Sequence, residues 1–158
     1  MAELARMPDR AMLVLRSRDA AACGLPVGVG SAAAWRGGTA VWIGPDEWLL
    51  IGGDGVGGDD APALLAGCAG LPLVAVDVSG NRSLYRLHGA DAGAVLARGC
   101  SLDLAGLAVG TGWSTLLARA QLVLLVAADG YRLLPRRSFG RYLEAWFQAV
   151  GVAVAERS

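Results

Sequence analysis

Short apolar runs, bounded by glycine, proline and polar residues, dominate the pattern of this chain. Seven runs have the length of a β-strand, and a further segment alternates polar and apolar residues as a half-exposed strand does. The runs lie at residues 12–17, 39–43, 47–51, 73–78, 113–118, 122–127 and 131–134, and the alternating segment lies at residues 82–87. The run at 73–78 predicts a strand with buried character. Gly44-Pro45-Asp46 and Asp129-Gly130 separate neighbouring runs, which is typical of hairpin turns.

Helical patterns occur between these runs. Residues 61–69 and 91–98 are predicted helices, the second ending at a left-handed cap on Gly99. The last helix has the clearest pattern, with Ser138 placed to cap its start. Its apolar residues recur at i, i+3, i+4, i+7, i+8 and i+11, which predicts one continuous apolar helical face: Phe139, Tyr142, Leu143, Trp146, Phe147 and Val150.

Together these elements predict an α+β fold in a single domain. A length of 158 residues suits one domain with a sizeable core. Because hairpins dominate and helices return between them, we expect a mostly antiparallel sheet with helices packed on it. The Ala/Gly-rich stretch at 18–38 is expected to be mostly loop. The domain is expected to span residues 1–158, with loosely ordered tails at about 1–10 and 152–158.

The composition is more apolar than that of a typical soluble domain. Hydrophobic residues make up 54% of the chain and charged residues 18%, against roughly 25% charged on average. The longest apolar run, residues 122–128, is far shorter than the roughly 20 residues of a spanning helix. The N-terminus has no signal-peptide pattern. We therefore expect no membrane partner, a cytoplasmic location, and an apolar surface that a protein partner could cover.

The charge and the choice of cationic residues limit the kinds of ligand and reaction that this chain could support. The net charge is zero and the charges are interspersed, which argues against nucleic-acid binding. All fourteen cationic residues are arginine, and only one asparagine occurs, which points to a GC-rich bacterium. Without lysine there is no side-chain amine for a Schiff base.

No catalytic, cofactor-binding or metal-binding set is apparent. His88 is the only histidine, and no serine nucleophile motif accompanies it. Cys23, Cys68 and Cys100 are too far apart for a zinc motif and are expected to be buried free thiols in a reducing compartment. The glycine clusters at 24–30 and 52–58 lack the strand–glycine–helix context of a dinucleotide site.

The remaining candidate residues concern partners and packing. Asp77 lies in an apolar run, so a buried ion pair with Arg82 is one interpretation, and contact with a ligand is the other. Trp42, Trp48 and Trp146 are candidates for a protein interface, with core packing as the alternative. Arg136 and Arg137 are either a solvated pair or a further interface anchor.

Four segments together resemble the gamma-subunit family of heterotetrameric sarcosine oxidase. They are VWIGPDEWLLI at 41–51, VDVSGNRSLYRLHGADAGAVLARGCSLDL at 76–104, STLLAR at 114–119 and PRRSFGRYLEAWF at 135–147. Each segment alone is only weakly specific for the family, but the four in this order and spacing are fairly specific in combination. That family is similar in turn to the folate-binding domain of aminomethyltransferases, which implies the same hairpin-rich fold.

The resemblance implies an accessory, non-catalytic gamma subunit in a complex that oxidatively demethylates sarcosine or a related secondary N-methyl amine. Its partners would be alpha, beta and delta subunits, which would hold the FAD, FMN, NAD and tetrahydrofolate of the complex. No cofactor is implied in this chain. The alternative is a stand-alone protein with an aminomethyltransferase-like fold that binds a folate-like small ligand.

Overall fold

The computed structural model describes residues 1–155, which form eleven strands and four α-helices. The strands are β1 Glu3–Arg6, β2 Met12–Arg16, β3 Ala32–Trp35, β4 Gly38–Gly44, β5 Glu47–Gly52, β6 Val74–Asp77, β7 Tyr85–His88, β8 Gly112–Leu117, β9 Ala120–Ala127, β10 Gly130–Pro135 and β11 Ala153–Ala155. The helices are α1 Ala20–Cys23, α2 Ala61–Ala66, α3 Ala92–Ala97 and α4 Gly140–Ala149. The chain divides into two compact units. The first unit is residues 9–80, and the second unit is residues 1–8 with residues 81 onwards.

The first unit is built on a five-stranded antiparallel sheet in the order β3-β4-β5-β2-β6. Successive side chains of a strand point to opposite faces, and one face of this sheet forms a buried cluster with α1 and α2. Leu15, Trp48 and Leu64 belong to that cluster. The indole N–H of Trp48 donates to the Pro26 carbonyl at 2.6 Å, so this large side chain is buried with its one donor satisfied.

The second unit is built on a six-stranded sheet in the order β11-β1-β7-β10-β9-β8. Among the strands of residues 1–155, only β1 and β11 pair in parallel. Helices α3 and α4 contribute Leu96, Leu143 and Phe147 to a buried cluster with the sheet residues Leu87 and Leu124. The predicted α+β class, with antiparallel strands and helices packed on them, is confirmed, although the strands form two sheets rather than one. The expectation of a single domain stays a prediction.

The turn between β8 and β9 has a backbone conformation unusual for its residue. Ala118 has φ of 52°, in the left-handed region that disfavours a side chain with Cβ. Two contacts hold the turn in place: the Ala118 N–H donates to the Gly99 carbonyl at 2.9 Å, and the Arg119 N–H donates to the Tyr142 hydroxyl at 3.2 Å. The turn is therefore tied both to the end of α3 and to the exposed side of α4.

Several local predictions are wrong. Helix α3 is capped by Arg98 in right-handed conformation, and Gly99 does not have positive φ. Ser138 does not cap α4, because it lies inside a 3-10 turn, Arg137–Phe139, that leads into the helix. The stretch expected to be mostly loop contains α1 and β3.

The predicted tails also differ from the structure. Residues 3–6, assigned to the first tail, form β1 and pair with both β7 and β11. The second tail contains β11 up to Ala155, and its last three residues lie outside the described residues.

Candidate subunit interface

Helix α4 is held to its sheet by an apolar inner face. Leu143 and Phe147 lie four residues apart, on the same side of the helix, and both are fully buried. The ring of Phe147 meets that of Trp146 edge to face, with centroids 5.1 Å apart. Gly99 lies against the Trp146 ring, and a Cβ added there would come within 2.6 Å of it. Glycine at position 99 is therefore explained by close packing rather than by a helix cap.

A polar contact fixes the rotation of α4 about its own axis. The fully buried Tyr85 of β7 donates its hydroxyl proton to Glu144 Oε1 at 2.6 Å. Burial and the Glu144 carboxylate together raise the pKa of Tyr85 to about 12. The Arg6 guanidinium lies over the same ring, 5.6 Å from its centroid. Glu144 and the buried Leu143 thus both face the sheet, and Tyr142 and Ala145 on either side of them are exposed.

The outward side of α4 is aromatic and cationic. Phe139 and Tyr142 are 38% and 37% exposed, and their rings meet edge to face with centroids 6.1 Å apart. Exposed arginines lie near these rings. Three are close to them in sequence, and Arg119 of the β8–β9 turn donates its N–H to the Tyr142 hydroxyl. We define the α4 surface as Arg119, Arg136, Arg137, Phe139, Arg141 and Tyr142.

Few acidic residues accompany the α4 surface along the chain. Within residues 131–155, Glu144 is the single acidic residue, and Tyr85 already binds its carboxylate. Within the described chain, no acidic side chain pairs with Arg119, Arg136 or Arg141. Burial, followed by the charge of Arg136, lowers the pKa of the neighbouring Arg82. Arginine and aromatic residues are enriched in protein interfaces, so this composition suits binding to an acidic protein surface.

The interface residues predicted from the sequence differ in how far the structure exposes them. Arg136 and Arg137 are exposed and belong to the α4 surface. Trp146, on α4, is partly buried against the cluster of the second unit, and Trp42 is partly buried against the cluster of the first unit. Trp48 is only 1% exposed, so its assignment to an interface is wrong: its own chain already covers the indole.

The predicted buried ion pair between Asp77 and Arg82 is wrong. Asp77 is exposed, and its Oδ1 accepts from the hydroxyl of Ser79 at 2.6 Å and from the Ser79 N–H at 3.0 Å. These hydrogen bonds lower the pKa of Asp77. Arg82 is half-buried in the second unit and donates to the Leu134 carbonyl at 2.8 Å.

The remaining titratable candidates occupy separate places. Nε2 of His88 lies 3.6 Å from Glu3 Oε1 at the side of β7. All three cysteines are free and buried, and burial raises the pKa of Cys68. No group of three or more potential metal ligands is found among residues 1–155. Nor does any described helix have the length and apolar character needed to cross a bilayer.

Comparison with known proteins gives the family. The model of the "Sarcosine oxidase, gamma subunit family" matches residues 9–153, nearly the whole chain. The chain belongs to the sarcosine oxidase gamma subunit family. It is similar to sarcosine oxidase subunit gamma of Corynebacterium sp. (strain U-96), with 36% identity over 131 residues that cover 78% of this chain and 61% of that protein. The corresponding subunit of Arthrobacter sp. is 37% identical over 127 residues, covering 78% of this chain and 62% of that protein. This member of the gamma family thus spans less than two thirds of the length of these relatives.

Solved structures confirm the fold of the gamma family member. A chain of the heterotetrameric sarcosine oxidase from Corynebacterium sp. U-96 in complex with pyrrole 2-carboxylate superposes with a TM-score of 0.77 at 30% identity. The match covers 92% of this chain and 80% of that chain. Aminomethyltransferase T of the glycine cleavage system from Bartonella henselae superposes with a TM-score of 0.70 at 18% identity, covering 98% of this chain and 47% of that one. This second likeness shows a shared fold.

Part of the α4 surface of this gamma family member was not predicted from the sequence. Phe139 and Tyr142 belong to the predicted apolar face of the last helix and are not among the predicted interface residues, yet both are exposed. Arg119 and Arg141 were not singled out. A signal was available, because the apolar stripe is wider than one packed face requires and arginines flank it.

Proposed function

We propose that this chain is an accessory subunit of a heterotetrameric, flavin-dependent complex that oxidatively demethylates sarcosine or a related secondary N-methyl amine. Similarity to curated gamma subunits along most of the chain carries the proposal. Its partners are alpha, beta and delta subunits, which hold the FAD, FMN, NAD and tetrahydrofolate of the complex. The role of this chain is binding, and the three buried free thiols agree with a reducing, cytoplasmic setting.

The α4 surface supports this role. Arg119, Arg136 and Arg141, beside exposed aromatic rings, bind an acidic surface through charge, while the rings supply apolar contact area. Complementary charge mainly accelerates association and suppresses wrong partners. We therefore propose that α4 docks against an acidic face of a larger subunit.

Co-expression tests the proposal. The chain is produced with the alpha, beta and delta subunits of the same organism, purified through a tag on this chain, and examined for flavin absorption. A stoichiometric yellow complex is expected. Arg141→Glu reverses one charge of the α4 surface and is expected to slow association by about tenfold at low salt, with a smaller effect at high salt because salt screens the charges. The matched control is Arg36→Glu, an exposed arginine in the turn between β3 and β4 of the first unit, which is expected to assemble normally.

Two results would contradict these proposals separately. A colourless eluate that holds this chain alone would overturn the accessory-subunit function. Calorimetry with a reduced folate then tests the alternative of a stand-alone binding protein, for which heat of binding is required. Normal assembly kinetics of Arg141→Glu, in a complex that forms, would overturn only the role of the α4 surface.

A further inference from the structure

Strand β6 is an edge strand that exposes apolar side chains. It lies at one end of the five-stranded sheet and pairs with β2 on its inner side. Val74 and Val76 are 64% and 53% exposed, and they lie two residues apart on the same face. The sequence predicts the opposite, because a continuous apolar run is typical of a strand covered on both faces. The strand therefore has the sequence of a buried strand and the position of an exposed one.

The main-chain groups at the outer side of β6 belong to Ala75 and Asp77. The Val78 N–H donates to the Met12 carbonyl at 2.9 Å, so Val78 and Met12 form a hydrogen-bonded pair. In an antiparallel ladder such pairs alternate, and the register places Val76 opposite Val14 as the next one. The N–H and C=O groups of Ala75 and Asp77 thus point away from β2. In the part of the chain that the structure describes, no strand pairs with them.

The usual protection of an edge strand is largely missing from β6. Proteins blunt such edges with proline, lysine, β-bulges or inward-pointing charges. β6 has neither proline nor lysine, and its pairing with β2 shows no register shift. Its single charge, Asp77, is on the face opposite the valines and is bound by Ser79. An unprotected edge with two exposed valines is suited to pairing with another strand.

A cleft at the start of β6 is lined by arginine side chains. It has a volume of about 540 Å³, and its lining includes Arg16, Arg18 and Val74. Arg16 pairs with Glu47 at 3.4 Å, whereas Arg18 is exposed and has no ion-pair partner within residues 1–155. A chain segment that follows β6 toward this cleft would meet Arg18, and a carboxylate would complement it.

We propose that β6 accepts an extended segment of a larger subunit as an additional strand. The segment carries apolar side chains at alternate positions, opposite Val74 and Val76, and an acidic residue that reaches Arg18. A second copy of β6 fits less well in the register that pairs Ala75 with Asp77 of the copy, because Ser79 and Gly80 of the copy then lie nearest the cleft, and neither has a carboxylate. The proposal rests on the proposed function, since it names a second contact of the same accessory subunit.

The test uses one proline at each edge of the same sheet. Ala75→Pro removes an outward N–H and leaves the hydrogen bonds to β2 in place, because proline is tolerated on the outer side of an edge strand. The matched control is Ala34→Pro in β3, the opposite edge strand. There the Trp42 N–H donates to the Ser31 carbonyl, which by alternation turns the Ala34 N–H outward as well. Each variant is co-expressed with the alpha, beta and delta subunits, and its folding is checked by thermal denaturation.

The expected result is that Ala75→Pro lowers recovery of the assembled complex at least about tenfold, which corresponds to about 1.4 kcal/mol of binding free energy. Ala34→Pro assembles as the unaltered chain does. Hydrogen exchange on the unaltered chain gives a second measurement that does not depend on the folding of a variant. The amides of Ala75 and Asp77 are expected to exchange rapidly in the free chain and at least about tenfold more slowly in the complex.

Three outcomes would overturn the proposal, and they are distinguishable. Normal assembly of Ala75→Pro with unprotected amides in the complex removes β6 from the interface and leaves the accessory-subunit function standing. A free chain that is a dimer, and that Ala75→Pro converts to a monomer, identifies a second copy as the occupant. An unaltered chain that binds none of the larger subunits overturns the proposed function together with this inference.

Discussion

Replacing Tyr85 by phenylalanine isolates the contact that orients α4. The substitution keeps the buried ring and the Arg6 guanidinium above it, and removes only the hydroxyl that donates to Glu144 at 2.6 Å. This distance is in the short range of O–H···O⁻ bonds, which are roughly twice as strong as neutral ones. The change therefore removes one charge-assisted hydrogen bond without removing apolar packing.

The expected cost follows from the environment of the two groups. Hydrogen bonds to charged groups contribute about 1.5 to 3 kcal/mol. Glu144 is only half-buried, so water can replace the lost hydroxyl in part, and we expect the lower end, about 1.5 kcal/mol. For a chain of this size that loss corresponds to a fall in Tm of roughly 3 to 6 °C. Tyr142→Phe is the matched control, because its hydroxyl only accepts from the Arg119 N–H at an exposed site, and it is expected to change stability by less than about 0.5 kcal/mol.

Alkaline pH provides a second test. The pKa of Tyr85 is raised from 10.0 to about 12, so the folded state holds a proton that the unfolded state releases first. The stabilisation is complete below pH 10 and is lost as the pH rises through about 12. Urea denaturation across this range should show a constant advantage of the unaltered chain over Tyr85→Phe below pH 10, and a shrinking one above it. Equal stability at pH 8, or a difference that does not shrink at high pH, would refute the argument.

Three further substitutions test packing and backbone strain. Gly99→Ala places a Cβ 2.6 Å from the Trp146 ring and 3.2 Å from Leu117 Cδ1. The free energy of unfolding, measured with urea, should fall by about 1 to 3 kcal/mol, and the tryptophan fluorescence should shift. An unchanged spectrum and stability would contradict the close packing. Phe147→Ala empties a fully buried site and should cost about 3 to 5 kcal/mol by the same method, whereas a loss below about 1 kcal/mol would place the ring outside the core. Ala118→Gly relieves the positive φ at the β8–β9 turn and should stabilise the chain by up to about 1 kcal/mol; a loss of stability would show that the turn is not strained.

Hairpins could be predicted from the sequence because each carries its own local signal. The runs at 39–43 and 47–51 flank Gly44-Pro45-Asp46, and the structure forms β4 and β5 around that turn. Strands β1 and β3 carry no such signal. β3 is Ala-Ala-Ala-Trp, with no β-branched residue, and it exists because its register with β4 satisfies its main chain. Long-range pairing of this kind overrides local preference and is invisible to a periodicity argument.

The candidate interface was harder to predict because apolar spacing does not reveal how much of a helix its own domain covers. Leu143 and Tyr142 are neighbours in the same apolar stripe, yet the first is fully buried and the second is exposed. Leu143 packs into the cluster between α4 and the sheet whereas Tyr142 does not, and the sequence of the helix alone does not encode which side meets the sheet. For Asp77 the error was similar: its run is apolar, but its strand lies at the edge of the sheet.

The apolar excess of the composition can now be divided between core and surface. A larger core explains part of it, since each unit has its own buried cluster. The other part is exposed in specific places: aromatic rings among exposed arginines on the α4 surface, and valines on the edge strand β6. These two surfaces suit different kinds of contact, because the first attracts acidic side chains and the second requires an extended backbone. An accessory subunit that uses both would lose association rate when the α4 charges are reversed and lose the bound state when the β6 edge is blocked. Association and dissociation rates of Arg141→Glu and Ala75→Pro, measured on the same complex, would separate the two contributions.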